Sequence, residues 1–347
     1  MAKSLVLERK GVLALRDIDV PDQMTAESLR VQIRNVGICG SDVHFYTHGR
    51  IGPFVVEKPL VLGHEASGTV IEVGSAVKNF KVGDRVCMEP GVPTLSSRAA
   101  KLGIYNVDTS VTFWACPPVH GCLTGAVVHP AAFTYKLPDD VSYAEGAMIE
   151  PLAVAVQACA KAGLQPADVC LVTGCGPIGI LVALAAIASG ASKVFISDMT
   201  APKLEAASRF EGLIPVNIQK ESIERVVRAH CGEDWGVDVA FDASGHPSAY
   251  GSLLACVRPG GQIVLVGMPV EKVEFDVVGA QAKEIEIKTV FRYCNVYDRA
   301  IALLASGKID VKPLITATFP FSESVQAFER AASGRPSDIK LQIKMPA

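Results

Sequence analysis

The chain has 347 residues, of which 49% are hydrophobic and 20% charged, so it can form about two well-packed domains. Lysine and arginine total 33 against 36 acidic residues, and this balance, without a basic cluster, excludes an extended nucleic-acid or anionic-membrane surface. Neither an export signal nor a membrane-spanning apolar run is present, so we expect a cytoplasmic protein whose ten cysteines are mostly reduced and buried.

The predicted elements change in character along the chain. Up to about residue 150, short alternating strands such as 29–33 and 68–73 are broken by glycine and proline, which is typical of an antiparallel barrel or sandwich. From 151 to 290, buried strands alternate with amphipathic helices, which indicates parallel βαβ units. The strands predicted there are 169–173, 194–197, 237–241 and 263–266. A polar strand end at 291–293 and helices at 296–306 and 322–333 follow.

Cys39 and His64 carry the metal chemistry of the first part. Cys39 opens the run C-G-S-D-V-H, and His64 lies between Gly63 and Glu65. Zinc prefers thiolate and imidazole ligands, and a carboxylate beside the histidine can complete a catalytic site whose fourth position stays open. Taken singly, Cys39 would be a buried core thiol and His64 a core histidine. Together they predict a zinc site.

A glycine-rich turn follows the strand predicted at 169–173. Its glycines are Gly174, Gly176 and Gly179, and a helix rich in alanine, leucine and isoleucine comes next. Such glycines allow a tight turn, close approach of the backbone to a pyrophosphate and close packing of helix on strand. Asp198 ends the next strand, where a carboxylate can bind a ribose 2′-hydroxyl. The turn therefore predicts a dinucleotide site.

Asp198 also indicates which dinucleotide is bound. A carboxylate would repel a 2′-phosphate, and the next residue, Met199, offers no positive charge to receive one. We therefore expect NAD and not NADP. Lys203, one helical turn further on, is either a contact to the adenosine ribose or a solvated surface charge.

The run that starts at Gly63 resembles a known family pattern. It reads G-H-E-x-x-G-x-x-x-x-x-G-x-x-V, with Gly68, Gly74 and Val77 in the later positions, and it is similar to the pattern of zinc-containing medium-chain alcohol dehydrogenases. The chain resembles that superfamily from end to end and, more narrowly, its polyol branch, the sorbitol and xylitol dehydrogenases. Further similarities are G-I-C-G-S-D-V-H at 37–44, I-E-P-L at 149–152 and F-R-Y-C-N at 291–295.

The resemblance implies an α/β protein of two domains. A GroES-like β-barrel catalytic domain would comprise residues 1–150 and 291–347. A Rossmann domain, with a doubly wound parallel sheet that binds NAD, would comprise residues 151–290. Relatives commonly pair through an edge strand of the nucleotide domain, so a homo-oligomer, either a dimer or a tetramer, is expected.

The same resemblance implies the metal ligands and the proton path. Cys39, His64 and Glu65 would correspond to the catalytic zinc ligands, while Glu150 stands where the alcohol branch carries a cysteine. Whether Glu65 or Glu150 ligates the metal stays open, so both are candidates. Asp42 would orient a ligating histidine. Catalytic roles in proton transfer are implied for Ser41, His44 and Glu150, although His44 could equally be an exposed loop residue.

The residues that the resemblance places at substrate and cofactor form two groups. The substrate group contains hydrogen-bonding side chains, which suits a polyol better than a simple alcohol; it is Phe45, Phe113, Glu150, Arg292 and Tyr293. The alternative, purely structural roles are a salt bridge for Arg292 and core packing for Tyr293 and Phe113. The cofactor group is Gly174, Gly176, Pro177, Ile178, Gly179, Asp198, Lys203, Val266, Gly267, Met268, Val290, Phe291 and Arg292.

Four positions of this chain differ from the pattern of many family members. Many members hold a second, structural zinc with four cysteines, but the aligned positions here are Thr94, Ser97, Ala100 and Asp108. These side chains cannot form a tetrahedral thiolate site, so we expect one zinc per chain.

The predicted function is zinc-dependent oxidation of a polyol, xylitol or sorbitol, to the ketose by hydride transfer to NAD. One alternative is a threonine or butanediol dehydrogenase on the same scaffold. Another is a non-catalytic NAD-binding protein, which loss of Cys39 or His64 would have favoured.

Overall fold

The computed structural model describes residues 3–346, and these divide into two compact units. The first unit contains the described residues up to Glu150 and those from Leu304 onward, and the second runs from Pro151 to Leu303. The first boundary lies where the change in sequence pattern predicts it, whereas the return to the first unit was predicted at 291 and lies at Leu304. The return comes later because the chain beyond 291 stays with the second unit, where Gln157 Nε2 lies 4.0 Å from Cys294 Sγ.

The first unit opens with short strands and few helices. Its strands are β1 Ser4–Arg9, β2 Val12–Arg16, β3 Ser28–Gly37, β4 Arg50–Ile51, β5 Phe54–Val55, β6 Leu60–Val61, β7 Glu65–Val73, β8 Arg85–Met88, β9 Gly91–Val92, β10 Thr112–Phe113, β11 Ala126–Pro130 and β12 Thr134–Lys136. Its helices are α1 Gly40–His48, α2 Arg98–Lys101 and α3 Tyr143–Ala147, with 3₁₀ turns at Tyr105–Val107 and Ala131–Phe133.

The second unit alternates strands with helices. Its strands are β13 Val169–Thr173, β14 Lys193–Asp198, β15 Leu213–Asn217, β16 Val237–Asp242, β17 Val257–Leu265 and β18 Glu286–Thr289. The helices are α4 Ile149–Ala162, which begins in the first unit, α5 Pro177–Ala188, α6 Ala201–Ala207, α7 Ile223–Cys231, α8 Ala249–Cys256, α9 Val277–Ala282 and α10 Tyr297–Ala305, which ends in the first unit. The chain then returns to the first unit with 3₁₀ turns at Lys312–Leu314 and Phe321–Glu323, and with β19 Ile315–Pro320, α11 Ser324–Ala332 and β20 Lys340–Lys344.

A seven-stranded sheet organises the first unit. Its order is β12-β8-β7-β3-β20-β19, and β11 also pairs with β3. All of these pairs are antiparallel except β19 with β20. The central strand β3 buries Leu29, Val31 and Ile33 at every second position, as a half-buried strand should. Each such side chain contributes roughly 1.5 to 3 kcal/mol of burial free energy.

A six-stranded parallel sheet organises the second unit. Its order is β15-β14-β13-β16-β17-β18, so the chain winds outward from β13 in one direction and then from β16 in the other. This is the doubly wound order, and it leaves a crevice at the carboxyl ends of β13 and β16. The prediction of buried parallel strands is therefore confirmed.

Two local predictions differ from the structure. The strand predicted at 263–266 starts six residues earlier, at Val257, and ends at Leu265. The polar strand end predicted at 291–293 is a loop, because β18 ends at Thr289 and Arg292 has a left-handed φ of 56° that a strand cannot accommodate. Within the described residues, no helix combines the length and apolar character needed to cross a bilayer.

His129 in β11 is a buried histidine that links folding to pH. Its Nε2 lies 2.9 Å from the Glu89 carbonyl oxygen, and its ring centroid lies 4.6 Å from that of Trp114. Burial lowers the pKa of His129 from 6.5 to about 4. The unfolded chain therefore binds this proton at a higher pH than the folded chain does, so stability rises with pH across that interval.

We expect His129→Gln to flatten the pH dependence of unfolding. In the wild type, the contribution is complete above pH 6.5 and is lost as the pH falls towards 4, by about 3 kcal/mol in total. Glutamine can still donate to the Glu89 carbonyl but does not titrate. Urea unfolding at pH 7 and pH 4.5 measures the difference. If the free energy of unfolding fell equally between pH 7 and pH 4.5 in the wild type and in His129→Gln, the prediction would be contradicted.

Candidate functional site

Three potential metal ligands converge in the first unit. Cys39 precedes α1, while His64 and Glu65 lie where β7 begins. One ligand atom from each residue lies within 4.8 Å of the other two. His64 and Glu65 are buried, and Cys39 is partly exposed. Sulfur, nitrogen and carboxylate oxygen in a small, mostly buried cluster fit a zinc ion with one open position.

Two glycines let the backbone form this cluster. Gly63 has a φ of 90°, and a Cβ on it would lie 2.8 Å from Leu123 Cγ, so the turn before His64 requires glycine. Gly37 pairs with Glu65 across β3 and β7, and a Cβ on Gly37 would overlap Glu65 Oε2. The Glu65 carboxylate therefore rests directly on the backbone of β3.

Asp42 lies beside His64, and its role in orienting the ring stays a prediction. Its Oδ1 accepts a hydrogen bond from the Gly63 amide at 3.1 Å, and its Oδ2 lies 3.3 Å from His64 Nδ1. The latter pair is misaligned for a hydrogen bond, so within residues 3–346 neither atom has a hydrogen-bond partner. Burial by itself lowers the pKa of His64, but the charges of Asp42 and Cys39 raise it well above its ordinary value. The cluster thus stabilises positive charge.

Lys340 is the residue of this site that sequence reasoning missed. Its Nζ lies 2.7 and 2.8 Å from the two Glu65 carboxylate oxygens, and it also donates to the Ile38 carbonyl at 3.2 Å. Burial by itself lowers the pKa of Lys340, but Glu65 and Cys39 raise it. No local pattern indicated this role, because β20 reads K-L-Q-I-K and Lys340 is its first residue.

The predicted substrate and ligand residues of the first unit have different surroundings. Glu150 is the second residue of α4 and is 7% exposed, but the ligand cluster in the described residues does not include it. The Phe113 ring centroid lies 5.5 Å from that of His64. Phe45 is 4% exposed and packs in the main core of the first unit. Its predicted contact with substrate stays a prediction.

Ser41 and His44 lie three residues apart on α1, so they share one side of the helix. His44 Nδ1 lies 2.9 Å from the Arg50 carbonyl oxygen, and its ring stacks on His48 with centroids 4.3 Å apart. The described hydrogen bonds do not include one between Ser41 and His44 in this state. A proton relay through the two residues stays a prediction.

Hydrogen bonds hold the loop that contains Thr94, Ser97, Ala100 and Asp108, the positions aligned with a structural zinc site in the sequence analysis. Ser97 caps α2 by accepting from the Ala100 amide at 3.0 Å. The Ser110 hydroxyl lies 2.9 Å from both Thr94 Oγ1 and Asp108 Oδ1. The described loop is therefore organised by hydroxyl and carboxylate oxygens, which do not suit a structural zinc site.

The glycine-rich turn of the second unit has the predicted geometry. Gly174 has a φ of 93°, and a Cβ on Gly179 would overlap the Gly174 carbonyl oxygen. Gly176 caps α5, Pro177 occupies its first turn and Ile178 follows. A Cβ on Gly176 would meet no atom within 4 Å. The turn is thus closed on its protein side and open where a pyrophosphate could approach the helix.

Asp198 is fixed at the end of β14. Its Oδ2 accepts from the Cys175 amide at 2.7 Å, and its Oδ1 accepts from the Thr200 amide at 2.8 Å. The carboxylate therefore positions the glycine-rich turn while it lies at the edge where a ribose could bind. Lys203 lies in α6, and its carbonyl oxygen accepts from Cys175 Sγ at 3.3 Å.

We expect Gly176→Ala to weaken dinucleotide binding without destabilising the fold. The added methyl meets no protein atom but occupies the space that a pyrophosphate needs, so affinity should fall by about 10-fold or more. Gly251→Ala in α8 is the matched control, because its Cβ also meets nothing within 4 Å. Fluorescence titration with NADH and thermal unfolding of both variants measure the effects. Unaltered affinity in Gly176→Ala would contradict the proposed cradle.

A fully buried carboxylate of the second unit, Asp242, was missed by sequence reasoning. It ends β16 and is fully buried, and its Oδ1 accepts from Thr173 Oγ1 at 2.9 Å and from Ser244 Oγ at 2.7 Å. Its backbone carbonyl accepts from the amides of Val266 and Gly267, both at 2.8 Å. Asp242 therefore ties β13 and β16 to the loop after β17. An acidic residue at the end of a buried strand was the signal.

The remaining predicted cofactor residues follow the ends of β17 and β18. Val266, Gly267 and Met268 come directly after β17, and the Val290 amide donates to the Leu265 carbonyl at 2.8 Å. They therefore lie at the same carboxyl edge of the sheet as the glycine-rich turn. In the loop that follows, the Arg292 guanidinium lies 4.7 Å from the Phe291 ring centroid, and Tyr293 is buried against Tyr297. Their contacts with cofactor and substrate stay predictions.

Comparisons with known proteins agree with both units. Residues 25–139 match the alcohol dehydrogenase GroES-like domain, and residues 177–306 match the zinc-binding dehydrogenase family. A Rhizobium meliloti (strain 1021) protein, assigned provisionally as a D-xylulose reductase, is 60% identical over 347 residues and is covered completely, as is this chain.

Two further relatives have polyol-related names. The D-xylulose reductase of Morganella morganii is 51% identical over 331 residues, which is 95% of this chain and 97% of the relative. The sorbitol dehydrogenase of Homo sapiens is 42% identical over 342 residues, which is 98% of this chain and 95% of the relative. The resemblance inferred from the sequence is confirmed, and the chain belongs to the zinc-binding dehydrogenases that carry an alcohol dehydrogenase GroES-like domain.

Proposed function

We propose that this protein oxidises a polyol, xylitol or sorbitol, to the corresponding ketose, with NAD as the hydride acceptor. The observation that carries the proposal is the convergence of Cys39, His64 and Glu65 in a mostly buried cluster. The relatives named D-xylulose reductase and sorbitol dehydrogenase support the substrate class. When bound, zinc acts as a Lewis acid that lowers the pKa of a hydroxyl group, and NAD accepts the hydride.

The residues of the first unit would bind the metal, transfer the proton and orient the substrate. Cys39, His64 and Glu65 would hold one zinc ion, and Asp42 would orient the His64 ring. Ser41 and His44 would move the substrate hydroxyl proton towards bulk water, with the imidazole as the group that can both accept and release it. Glu150, buried at the start of α4, would orient the substrate or a water molecule.

The residues of the second unit bind and orient the cofactor. The turn of Gly174, Gly176 and Gly179 would cradle the pyrophosphate at the start of α5, where the helix dipole attracts anions. Asp198 would accept hydrogen bonds from the adenosine ribose. The residues that follow β17 and β18 would contact the rest of the dinucleotide at the same sheet edge.

Asp198→Ala tests the preference for NAD. We expect NAD affinity to fall about 10- to 100-fold, because a hydrogen bond to a charged group contributes about 1.5 to 3 kcal/mol. NADP affinity should fall less, since the variant no longer repels a 2′-phosphate. Both cofactors need the glycine-rich turn, so the ratio of the two dissociation constants separates ribose recognition from loop damage. An unchanged ratio would mean that Asp198 only supports the turn.

Metal analysis combined with a substrate screen tests the activity itself. We expect one zinc per chain, and NAD reduction with xylitol or sorbitol that exceeds reduction with threonine or 2,3-butanediol. The relatives named D-xylulose reductase and sorbitol dehydrogenase favour the two polyols in this screen. Faster turnover of threonine or 2,3-butanediol would show that the substrate is not a polyol. Full activity of metal-free protein would overturn the proposed zinc mechanism. Assembly into a homo-oligomer stays a prediction.

A further inference from the structure

Lys340 contacts both oxygens of the Glu65 carboxylate. Its Nζ is almost equidistant from Oε1 and Oε2, at 2.7 and 2.8 Å, so the ammonium lies near the bisector of the carboxylate. That position is also the one that a metal ion occupies when a carboxylate binds it through both oxygens. The lysine side chain and a chelated metal therefore compete for one place.

The pair is held firmly in this arrangement. The Lys340 and Glu65 side chains are 3% and 1% exposed, so water does not compete for either charge. An ammonium group has three N–H donors, and here three acceptors surround it, namely the two Glu65 oxygens and the Ile38 carbonyl at 3.2 Å. Glu65 Oε2 also rests on Gly37, where a Cβ would overlap it. The carboxylate is thus fixed on two sides.

A carboxylate oxygen of Glu65 can still join Cys39 and His64 in binding one metal ion, because it lies within 4.8 Å of a ligand atom of each. We propose that Lys340 is a positioning residue that restricts Glu65 to ligating the metal through a single oxygen, which leaves one coordination position free for substrate. This inference rests on the proposed zinc centre. It goes beyond that proposal because it names Lys340, which is not itself a metal ligand, as the residue that keeps one coordination position open.

Cobalt substitution of the full-length protein tests the inference without relying on activity. Four-coordinate Co²⁺ absorbs visible light several-fold more strongly than five-coordinate Co²⁺, so the spectrum reports the number of ligands. In Lys340→Met we expect Glu65 to bind through both oxygens, and the visible absorption to fall by about half or more. Zinc affinity, measured by competition with a chelator, should be equal to or tighter than that of the wild type, because a neighbouring positive charge has been removed.

Two controls separate the effect from general damage. In a Glu65→Gln background, adding Lys340→Met should leave the cobalt spectrum unchanged, because the residue through which Lys340 acts is no longer a carboxylate. Lys283→Met removes another partly buried lysine, which donates to the Leu254 and Val257 carbonyls in the second unit, and should also leave the spectrum unchanged. A spectral change of equal size in the Glu65→Gln background would overturn the proposal.

The wild type provides a test that does not depend on the variant folding. In a crystal structure of the zinc-loaded protein, we expect one Glu65 oxygen at about 2.0 to 2.2 Å from the metal and the other still hydrogen-bonded to Lys340. Ligation through both oxygens would overturn the inference, as would a Lys340→Met cobalt spectrum like that of the wild type. Failure of the wild type to bind either metal would instead overturn the proposed zinc centre and the inference with it.

Discussion

Cys39→Ser is expected to remove zinc and turnover while dinucleotide binding survives. Serine replaces the sulfur ligand with a hydroxyl that is neutral at working pH and binds zinc poorly, so metal affinity should fall more than about 100-fold. Turnover should fall at least about 1000-fold, because Lewis-acid catalysis contributes several kcal/mol. The proposed dinucleotide site lies in the second unit, so the dissociation constant of NAD should stay within about twofold.

A second partly exposed cysteine provides the matched control. Cys231 ends α7 in the second unit and, like Cys39, is free and only partly buried. Cys231→Ser should retain both zinc and turnover. Metal content, steady-state kinetics and NADH titration of the two variants measure the difference. Retained activity in a metal-free Cys39→Ser protein would contradict the proposed chemistry.

Lys340→Met is expected to destabilise the metal-free protein by about 3 to 5 kcal/mol. The substitution leaves the Glu65 carboxylate buried without its cation, and an uncompensated buried charge is among the most costly single changes. The double variant Glu65→Gln/Lys340→Met should recover most of this loss, since neither side chain is then charged. Zinc should also restore stability to the single variant, because it supplies positive charge next to Glu65.

Urea unfolding in the presence and absence of a chelator measures these effects. The four proteins of the double-mutant cycle give the coupling free energy between the two side chains, which should exceed about 2 kcal/mol. A loss below about 1 kcal/mol in Lys340→Met would contradict the buried ion pair. So would a double variant that is no more stable than the single variant.

The parts of the site that sequence alone predicts are those encoded within short segments. The glycine-rich turn and Asp198 lie within 25 residues of each other, and His64 is adjacent to Glu65. In each case, local spacing determines how the side chains meet, because the intervening turn has few possible geometries. The parallel sheet of the second unit was predictable for a similar reason, because buried strands that alternate with amphipathic helices indicate βαβ units.

The parts that sequence reasoning missed depend on contacts between distant segments. Lys340 is 275 residues from Glu65, and Asp242 is 69 residues from Thr173. The strand β20 is buried at four successive positions, so the alternation that would mark an inward-facing side chain is absent. The later return to the first unit was missed because the loop beyond β18 has no apolar period that reveals which unit it joins.

The position of β20 has a consequence for synthesis. The ribosome makes Glu65 long before it makes the strand that carries Lys340, 275 residues later. Until that strand pairs with β3, the nascent chain holds a carboxylate without its counter-charge in an incomplete sheet. Metallation of the growing polypeptide would therefore find Glu65 unrestrained, and only the late strand would give the centre its mature geometry.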